Sequence, residues 1–212
     1  EVADSHASVL LSGETGTGKE LIAKAIHAKS PRANRPFIAI NCGAIPDTLL
    51  ESELFGHQKG AYTGANRERK GFLEVVGGGT LFLDEVGEIG TKMQVDLLRV
   101  LEEKSIVRVG SRQPVSVDFR LITATSRDLE ERIRSGEFRE DFYYRIHVIQ
   151  MDIPPLRKRR EDIKPLAAHF LKKFCHETTK RVDRISPGAY RILETYDWPG
   201  NVRELENAIE RA

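Results

Sequence analysis

The sequence has little cysteine and tryptophan, no long apolar run, and no excess of charge of either sign. Its two cysteines, Cys42 and Cys175, lie far apart and lack the spacing of metal ligands, so we expect a reduced, intracellular protein. Because no apolar run approaches the length of a membrane span and no signal peptide opens the chain, we expect no membrane contact. The 33 basic and 32 acidic residues leave a formal net charge of +1, which excludes a general surface field that attracts nucleic acid.

The rest of the composition is that of an ordinary globular protein, with 40% hydrophobic and 31% charged residues. A length of 212 residues suffices for one sizeable α/β domain, or for such a domain with a small companion. The chain starts with Glu1 instead of Met, and its last stretch, ELENAIERA, still favours helix. We therefore expect it to be a segment of a larger protein.

Buried strands alternate with amphipathic helices through most of the chain. The stretches SVLLSG, PFIAINC, GGGTLFLDE and VIQMDI are typical of short buried strands. Two more strands are predicted around the turn from Gly110 to Pro114, and the second should continue into the buried stretch LITAT. From Asp162 onward the pattern favours helices alone. We predict an α/β fold over residues 1–155, with a mostly parallel sheet between helices, followed by a small all-helical domain over residues 156–212.

The stretch GETGTGKE matches the phosphate-loop pattern G-x-x-x-x-G-K, and it follows a predicted strand and opens a predicted helix. Glycines let backbone N–H groups converge on phosphate oxygens, while Lys19 reaches the terminal phosphates. The alternative is a glycine-rich turn with a surface lysine. Glu20 stands where Ser or Thr would ligate Mg²⁺, so the metal must rely on other groups and water. The candidate nucleotide-binding residues here are Gly13, Glu14, Thr15, Gly16, Thr17, Gly18, Lys19 and Glu20.

Two acids end the predicted strand TLFLDE, at the edge where open α/β sheets bind their ligands. We expect Asp84 to hold Mg²⁺, directly or through water, and Glu85 to position and polarise the attacking water. Two acids at a strand end are common by themselves. Together with a phosphate loop upstream, they predict a nucleoside triphosphatase.

Three other polar residues should reach the same edge of the sheet. Asn41 ends the second strand and could hydrogen-bond Glu85, or it could simply satisfy a loop. Thr125 and Ser126 end the LITAT strand and could sense the γ-phosphate, although hydroxyls at strand ends are common.

The stretch FREDFYYR contains Arg139 and Arg145, which are either surface ion pairs or fingers directed at a phosphate. Six residues turn about 600° around a helix, so the two side chains would lie roughly 120° apart and would not share one oxygen unless the helix breaks between them. Arg203 lies in the first turn of a predicted helix, where a cation opposes the helix dipole. Its ordinary partner would be Glu206, at i+3.

Two charged stretches remain. The run RKRRED, before the helical domain, is interpreted as a solvated connector rather than a nucleic-acid patch. Residues 56–71, GHQKGAYTGANRERKG, combine four glycines and five basic residues, one of them His57, with a single Phe, Tyr or Trp residue, Tyr62. Such a segment cannot bury much and does not favour regular structure.

Six stretches in this order closely resemble the central AAA+ domain of bacterial enhancer-binding proteins, the ATPases that activate transcription by sigma-54 RNA polymerase. They are GETGTGKELIAKAIH, NCGAIPDTLLESELFGHQKGAYTGA, GGTLFLDEVGEI, FREDFYYRI, PPLRKRREDI and WPGNVRELEN. The resemblance covers essentially the whole chain, and the GAYTGA element is specific to that family among AAA+ proteins. It implies an AAA+ P-loop NTPase with a helical lid.

The resemblance also assigns roles. It implies that Lys19 binds phosphates, that Asp84 and Glu85 form the Walker B pair, and that Asn41 switches Glu85 with nucleotide state. Glu20 is usual in the family.

Three arginines gain roles in the same way. Arg139 and Arg145 match its arginine fingers, which act across a subunit interface, and Arg203 matches the sensor II arginine of the lid. Ser126 stands at the sensor I position, where many members carry Asn or His.

The element GAYTGA matches the loop that contacts sigma-54, with Tyr62 in place of the usual Phe. Its candidate partner-binding residues are Gly60, Ala61, Tyr62, Thr63, Gly64 and Ala65. The strand pair around Gly110 to Pro114 corresponds to a neighbouring insertion that moves with this loop.

The family implies ATP and Mg²⁺ as ligands, a homo-oligomeric ring that is usually a hexamer, sigma-54 RNA polymerase as partner, and a bacterial cytoplasmic location. DNA binding is expected only through a domain outside this chain, and residues before Glu1 are expected to help hold the adenine. Two alternatives remain. One is an AAA+ unfoldase or helicase that uses the same aromatic loop, and the other is a non-catalytic module that oligomerises with nucleotide.

Overall fold

The computed structural model of the protein describes residues 2–61, 67–177, 182 and 184–212. Its contacts divide the chain into two compact units. The first comprises the residues up to Ser12 together with Glu20–Met151, and the second comprises Gly13–Lys19 together with Asp152–Ala212. By contact, the glycine-rich loop therefore groups with the C-terminal helices. The expected domain boundary near residue 156 remains a prediction.

The first unit is built around a five-stranded sheet. Its strands are β1 (Val9–Ser12), β2 (Phe37–Asn41), β5 (Thr80–Asp84), β8 (Arg120–Thr125) and β9 (Ile149–Asp152), and their order in the sheet is β2-β5-β8-β1-β9. The pairs β2–β5, β5–β8 and β8–β1 are all parallel, which confirms the predicted α/β architecture. Two short antiparallel pairs accompany them, β3 (Gly56–His57) with β4 (Arg69–Lys70), and β6 (Ser105–Val107) with β7 (Pro114–Ser116).

Helices flank the strands in sequence, as the alternating pattern predicted. Those that begin or lie in this part of the chain are α1 (Lys19–Ala28), α2 (Asp47–Phe55), α3 (Phe72–Val75), α4 (Thr91–Glu103), α5 (Leu129–Arg134) and α6 (Glu140–Ile146). Helix α4 buries Met93, Leu97 and Leu101 against the core of the unit, as its apolar stripe predicts. Leu98, beside Leu97 on the same helix, is only half-buried and packs at the margin of the core.

Strand β8 is buried along its whole length, including the side chain of Arg120, which is 2% exposed. Its guanidinium donates to the carbonyl oxygens of Val2, Ala3 and Ala7, at 2.6, 2.8 and 3.4 Å. A buried charge needs such partners, and these bonds also tie the N-terminal segment to the sheet.

The predicted continuous strand into LITAT is wrong. Strand β7 ends at Ser116 and β8 begins only at Arg120, because the two belong to different sheets. Between them the Val117 N–H donates to the Lys104 oxygen (2.9 Å), and the side chain of Phe119 is buried. Satisfying these groups redirects the chain from the small sheet to the large one.

The second unit contains the helices α7 (Ile163–Glu177), α8 (Pro187–Thr195) and α9 (Asn201–Arg211). Helix α8 starts as its sequence indicates, with Ser186 accepting the Ala189 N–H (3.2 Å) and Pro187 at the first position. The core of the second unit consists of Leu156, Ile163, Ala167, Phe170, Trp198 and Leu205. Among the residues described, no helix of the chain is long and apolar enough to cross a membrane.

Candidate functional site

The phosphate loop follows β1 and has glycines in the conformations that the motif requires. Gly16 and Gly18 have φ of 82° and 98°, a region that favours glycine. At Gly16 the need is also steric, because an added Cβ would lie 2.4 Å from the Gly200 oxygen. The loop and the start of α9 therefore approach backbone to backbone.

Lys19 lies inside the loop, not on the surface. Its side chain is 6% exposed, and Nζ donates to the carbonyl oxygens of Gly13 (2.8 Å) and Glu14 (3.2 Å). The Thr17 hydroxyl donates to the same Glu14 oxygen (2.7 Å). The alternative of a glycine-rich turn with a surface lysine does not fit this geometry.

Glu14 binds the helical part of its unit through its side chain. Arg157 donates to both carboxylate oxygens, at 2.8 and 2.6 Å, and Asn201 Nδ2 donates to one of them at 3.2 Å. The hydrogen bonds from Arg157 lower the pKa of Glu14 to about 2, with that from Asn201 as the next contribution. Glu14 stays ionised at neutral pH.

The run RKRRED is only in part the solvated connector that was expected, because Lys158, Arg160 and Glu161 are exposed whereas its arginines bind groups of the second unit. Besides the bonds of Arg157, Arg159 donates to the backbone carbonyl oxygen of Thr17 (2.9 Å). Arg160 donates to the backbone carbonyl oxygen of Glu194 (2.6 Å) and to the carboxylate of Asp197 (2.7 Å). The arginines of this run are thus bonded within the second unit because the loop and the helix ends there present unpaired carbonyl and carboxylate oxygens.

Arg203 is close to the phosphate loop through its backbone, since its N–H lies 3.3 Å from the Gly16 oxygen. Its side chain is exposed and makes no hydrogen bond or ion pair with any residue that the structure describes. The ordinary partner suggested for it, Glu206, instead binds Lys173 (2.9 Å). A cation without a local partner remains available to an anion.

Glu20 extends along the surface of α1 and pairs with Lys24 at i+4, with 2.7 Å between Oε1 and Nζ. Both side chains are about half exposed, so the pair contributes little to stability. A role for Glu20 in nucleotide binding remains a prediction.

In the first unit, the carboxyl ends of β2 and β5 bring polar residues together. Asn41 and Asp84 are register partners on adjacent parallel strands. Asp84 Oδ1 accepts the N–H of Glu85 (3.0 Å), and Glu85 has left-handed backbone angles (φ 52°, ψ 47°). Such a conformation costs a non-glycine residue of the order of 1 kcal/mol and is often found at functional sites.

The Glu85 carboxylate is bound by Ser126. Its Oε2 accepts both the backbone N–H (3.1 Å) and the hydroxyl (2.9 Å) of that residue. The hydrogen bond expected from Asn41 to Glu85 is not formed in this structure. The two residues flank Gly43, where an added Cβ would lie 3.5 Å from Asn41 Oδ1 and 3.7 Å from Glu85 Cβ.

Ser126 was expected at this edge from the sequence, although its bond to Glu85 was not predicted. It directly follows β8, the neighbour of β5, and parallel neighbours end at one edge. Thr125 is different, since it is 1% exposed and its hydroxyl accepts the N–H of Arg127 (3.0 Å). Its expected part in sensing phosphate remains a prediction.

The helical geometry assumed for Arg139 and Arg145 is wrong. Arg139 precedes α6 with extended angles (φ −82°, ψ 133°), and only Arg145 lies in the helix. The backbone of Arg139 stays outside the helix because its N–H donates to the side-chain oxygen of Gln94 (2.7 Å). The guanidinium of Arg139 pairs with Asp141 (2.6 Å), while Arg145 donates to the Leu101 oxygen (2.8 Å).

The ends of segment 56–71 are more ordered than their composition suggests. Gly56 and His57 form β3 and are buried, and His57 bonds Ser52 through Nδ1 (2.8 Å). The expectation of a segment without regular structure is therefore wrong at its base. Of the residues expected to contact a partner, Gly60 and Ala61 are described, whereas Tyr62, Thr63, Gly64 and Ala65 lie outside the described residues.

The strand pair β6–β7 reaches this base, as expected for a neighbouring insertion. The N–H of Gln58 donates to the Val109 oxygen (3.0 Å), and the N–H of Val109 donates to the Gly56 oxygen (2.9 Å). An added Cβ on Gly110 would lie 3.0 Å from Ala61 Cβ. The two segments are therefore connected through backbone hydrogen bonds.

The residues present are compatible with Mg²⁺ bound mainly by phosphate and water. The described residues contain no group of three or more His, Cys, Asp or Glu side chains that could hold a metal by themselves. A single carboxylate such as Asp84 fits the way Mg²⁺ binds beside a nucleotide, because that ion keeps several waters.

The chain matches the models of two known protein families. A model described as the sigma-54 interaction domain matches residues 1–152, and one described as the AAA+ ATPase lid domain matches residues 157–212. The chain belongs to the sigma-54 interaction domain family. This confirms the resemblance drawn from the six sequence stretches.

Named relatives agree with this family. The chain is 56% identical over 211 residues to the transcriptional regulatory protein ZraR of Klebsiella oxytoca, covering 100% of this chain and 48% of that protein. It is 57% identical over 209 residues to the Nif-specific regulatory protein of Herbaspirillum seropedicae, covering 99% and 39%. The chain thus spans about half or less of the length of these curated relatives.

A solved structure supports the fold. The crystal structure of NtrX from Brucella abortus in complex with ATP matches with a TM-score of 0.92 and 40% identity, covering 99% of this chain and 46% of that one.

Proposed function

We propose that this sigma-54 interaction domain hydrolyses ATP in a ring of identical subunits and thereby remodels sigma-54 RNA polymerase at promoters. The observation that carries the proposal is the Asp84–Glu85 pair, at the carboxyl edge of a parallel sheet, in a chain of this family. Two further observations support nucleotide binding. The phosphate loop has its glycines in left-handed conformations, and a related NtrX was crystallised with ATP.

Each residue of the sheet edge has a distinct task in this proposal. Asp84 would be the protein ligand of Mg²⁺, which would neutralise phosphate charge at this edge. Glu85 accepts a hydrogen bond from the attacking water and increases its nucleophilicity. In the structure that carboxylate is bound to Ser126, so it must change partner before it can act. Asn41, across Gly43, is the residue positioned to hold it in another state.

Arg139 and Arg145 complete the site across a subunit boundary. Both side chains are exposed, and neither needs to leave a buried position to reach a neighbouring subunit. Cations that stabilise the transferring phosphoryl group in trans make hydrolysis depend on assembly. Mixing Arg145→Ala subunits with Glu85→Gln subunits should therefore restore part of the activity that each lacks alone. Activity equal to the sum of the separate variants would contradict this assignment.

Mechanical output is assigned to the GAYTGA loop. Nucleotide-dependent contacts of the site would bias the loop between two positions, and the β6–β7 pair would move with it through the backbone bonds of Val109. Tyr62 would supply the apolar face that meets sigma-54, while its hydroxyl needs water or a hydrogen-bond partner there. DNA binding is assigned to a part of the parent protein outside this chain.

A capture experiment with purified sigma-54 tests the proposal. The chain is incubated with ADP, with ATP, or with ADP and a metal fluoride that mimics the transition state, and phosphate release is measured in parallel. We expect hydrolysis, with sigma-54 retained only in the transition-state sample, and loss of retention in Tyr62→Ala but not in Tyr62→Phe.

Other outcomes identify the alternatives. Hydrolysis stimulated by unfolded protein or single-stranded DNA, without sigma-54 capture, would indicate an unfoldase or helicase. Assembly with nucleotide but without phosphate release would indicate a non-catalytic module.

A further inference from the structure

The phosphate loop is held by the helical part of its own unit through every carbonyl group at its tip. The oxygen of Thr15 accepts from Asn201 Nδ2 (3.1 Å), that of Gly16 from the Val202 N–H (3.0 Å), and that of Thr17 from Arg159 (2.9 Å). These three donors come from two segments far from the loop in sequence. Together they hold one face of the loop.

Glu14 adds a charged attachment to this face. Its carboxylate receives two hydrogen bonds from Arg157 in bidentate geometry, and a third from Asn201. Bidentate arginine–carboxylate pairs are stronger and more specific in direction than ordinary surface ion pairs. Both side chains are partly exposed, so we expect the pair to contribute little to global stability and attribute to it mainly the orientation of the loop.

Asn201 connects the two kinds of attachment. It is fully buried, and its Oδ1 accepts the Leu156 N–H (2.8 Å) while its Nδ2 serves both Glu14 and Thr15. Its backbone is left-handed, with φ of 55°, which Asn tolerates better than most residues. The side chain thus joins the loop, the arginine run and the start of α9.

The consequence for nucleotide binding follows from peptide geometry. All peptide bonds of the described residues are trans, so the N–H of each peptide unit points away from its carbonyl oxygen. If the oxygens of Thr15 and Thr17 face the helical part, the N–H groups of Gly16 and Gly18 face the opposite side. Neither N–H donates to a protein acceptor among the described residues, which leaves both to bind an anion.

We propose that Glu14, Arg157 and Asn201 form a latch that presents the amide face of the phosphate loop to the nucleotide, with Arg157 and Asn201 as positioning residues. The latch connects loop and lid directly, without the side chain of Arg203. It rests on the proposed nucleotide-binding function. Breaking it should weaken nucleotide binding while leaving the catalytic carboxylates untouched.

The test measures the Kd of ADP by calorimetry, because ADP binding requires neither hydrolysis nor arginine fingers from a neighbour. Arg157→Gln and Glu14→Gln should each raise the Kd about tenfold, the loss expected for one charged hydrogen-bond pair. Asn201→Gly should also raise the Kd about tenfold, and glycine is chosen because it tolerates the left-handed backbone at this position. The matched control is Lys158→Gln, which removes an adjacent exposed cation that has no hydrogen bond to the loop among the described residues.

A second readout separates a positioning role from a merely structural one. With ATP, Arg157→Gln should raise KM about tenfold and change kcat less than about threefold, since Glu85 and Ser126 are intact. Amide hydrogen exchange in the absence of nucleotide should accelerate in residues 13–19 and 200–203, and not in β5 or β8. The charge exchange Glu14→Lys with Arg157→Glu should restore part of the ADP affinity.

The outcomes are distinct. If Lys158→Gln weakens ADP binding as much as Arg157→Gln does, the effect is one of net charge and the latch is overturned. If all variants bind ADP like the original chain and show its exchange rates, the latch is also overturned while the proposed function stands. If the original chain binds neither ADP nor ATP, the proposed function fails together with this inference.

Discussion

The two regions that carry the nucleotide motifs are held in place by different means. At the sheet edge, Asn41 and Asp84 are positioned by the ladder of backbone bonds between parallel strands. The phosphate loop is positioned by side chains of Arg157, Arg159 and Asn201, which are remote in sequence. Backbone ladders tolerate most substitutions of the side chains that they carry, whereas a loop held by side chains depends on each of them. We therefore expect substitutions at the sheet edge to lower kcat, and substitutions of the residues that hold the loop to weaken nucleotide binding.

The largest effect should come from Glu85→Gln at the sheet edge. Removing a general base reduces kcat by about a thousandfold, within the usual range for such a group. The affinity for ADP should stay within about threefold because the backbone ladder remains. The matched control is Glu88→Gln, which removes the acid that pairs with Arg127 in the same turn and should retain activity. Equal losses of kcat in both variants, or weakened ADP binding in Glu85→Gln, would contradict the comparison.

The next largest difference is expected in stability, when one glycine of each region is replaced by alanine. In Gly16→Ala the new Cβ would lie 2.4 Å from the Gly200 oxygen at a left-handed φ, so we expect a loss of about 2 kcal/mol in the free energy of unfolding. In Gly43→Ala the nearest atom would lie at 3.5 Å, an ordinary contact, so we expect stability to change by less than about 0.5 kcal/mol. Urea unfolding measures both. Similar stability of the two variants would show that the loop can relax away from α9.

A smaller effect is expected at Ser126. Ser126→Ala removes the hydroxyl bond to Glu85 Oε2 but keeps the backbone one, so kcat should change about tenfold at most. Because the carboxylate is then held by one bond fewer, it should reach the attacking water more readily, and kcat should rise. Ser135→Ala, which removes an exposed hydroxyl bonded to the Arg132 oxygen, serves as the control. A kcat unchanged from that of the original chain would exclude Ser126 as a positioning residue.

The smallest effect is a pH dependence at Glu14. Its pKa is lowered from 4.5 to about 2 in the folded chain, so the stability it contributes is fully present above about pH 4.5 and lost as pH falls towards 2. The difference in Tm between the original chain and Glu14→Gln should therefore be constant from pH 7 to about 5 and shrink by pH 3. A difference that grows on acidification would have the wrong sign for this ion pair.

Sequence reasoning succeeded where a motif and its local geometry coincide. The phosphate-loop conformation follows from glycine spacing, and the edge position of Asp84 and Glu85 follows from where a buried strand must end. It failed where a contact joins distant segments. The arginine run beginning at Arg157 was interpreted as a connector, and the bond of Ser126 to Glu85 was not predicted, because neither stretch contains the partner that its side chains bind.

Arg139 shows a third kind of limit. Periodicity placed it on a helix with Arg145, but the helix begins only at Glu140 because Gln94 captures the N–H of Arg139. A helix start decided by a distant side chain is not visible in local propensity.

The sequence by itself determined the family, the mostly parallel α/β sheet, and the identity of the groups available for phosphate chemistry, since these depend on local pattern and residue type. Only the tertiary structure decided which groups hold one another. In the folded chain Ser126 donates a hydrogen bond to Glu85, and Arg157 and Asn201 donate to Glu14. The sequence alone does not predict these bonds, because hydrogen bonds between remote segments form only after the backbone has brought their donors and acceptors within about 3 Å.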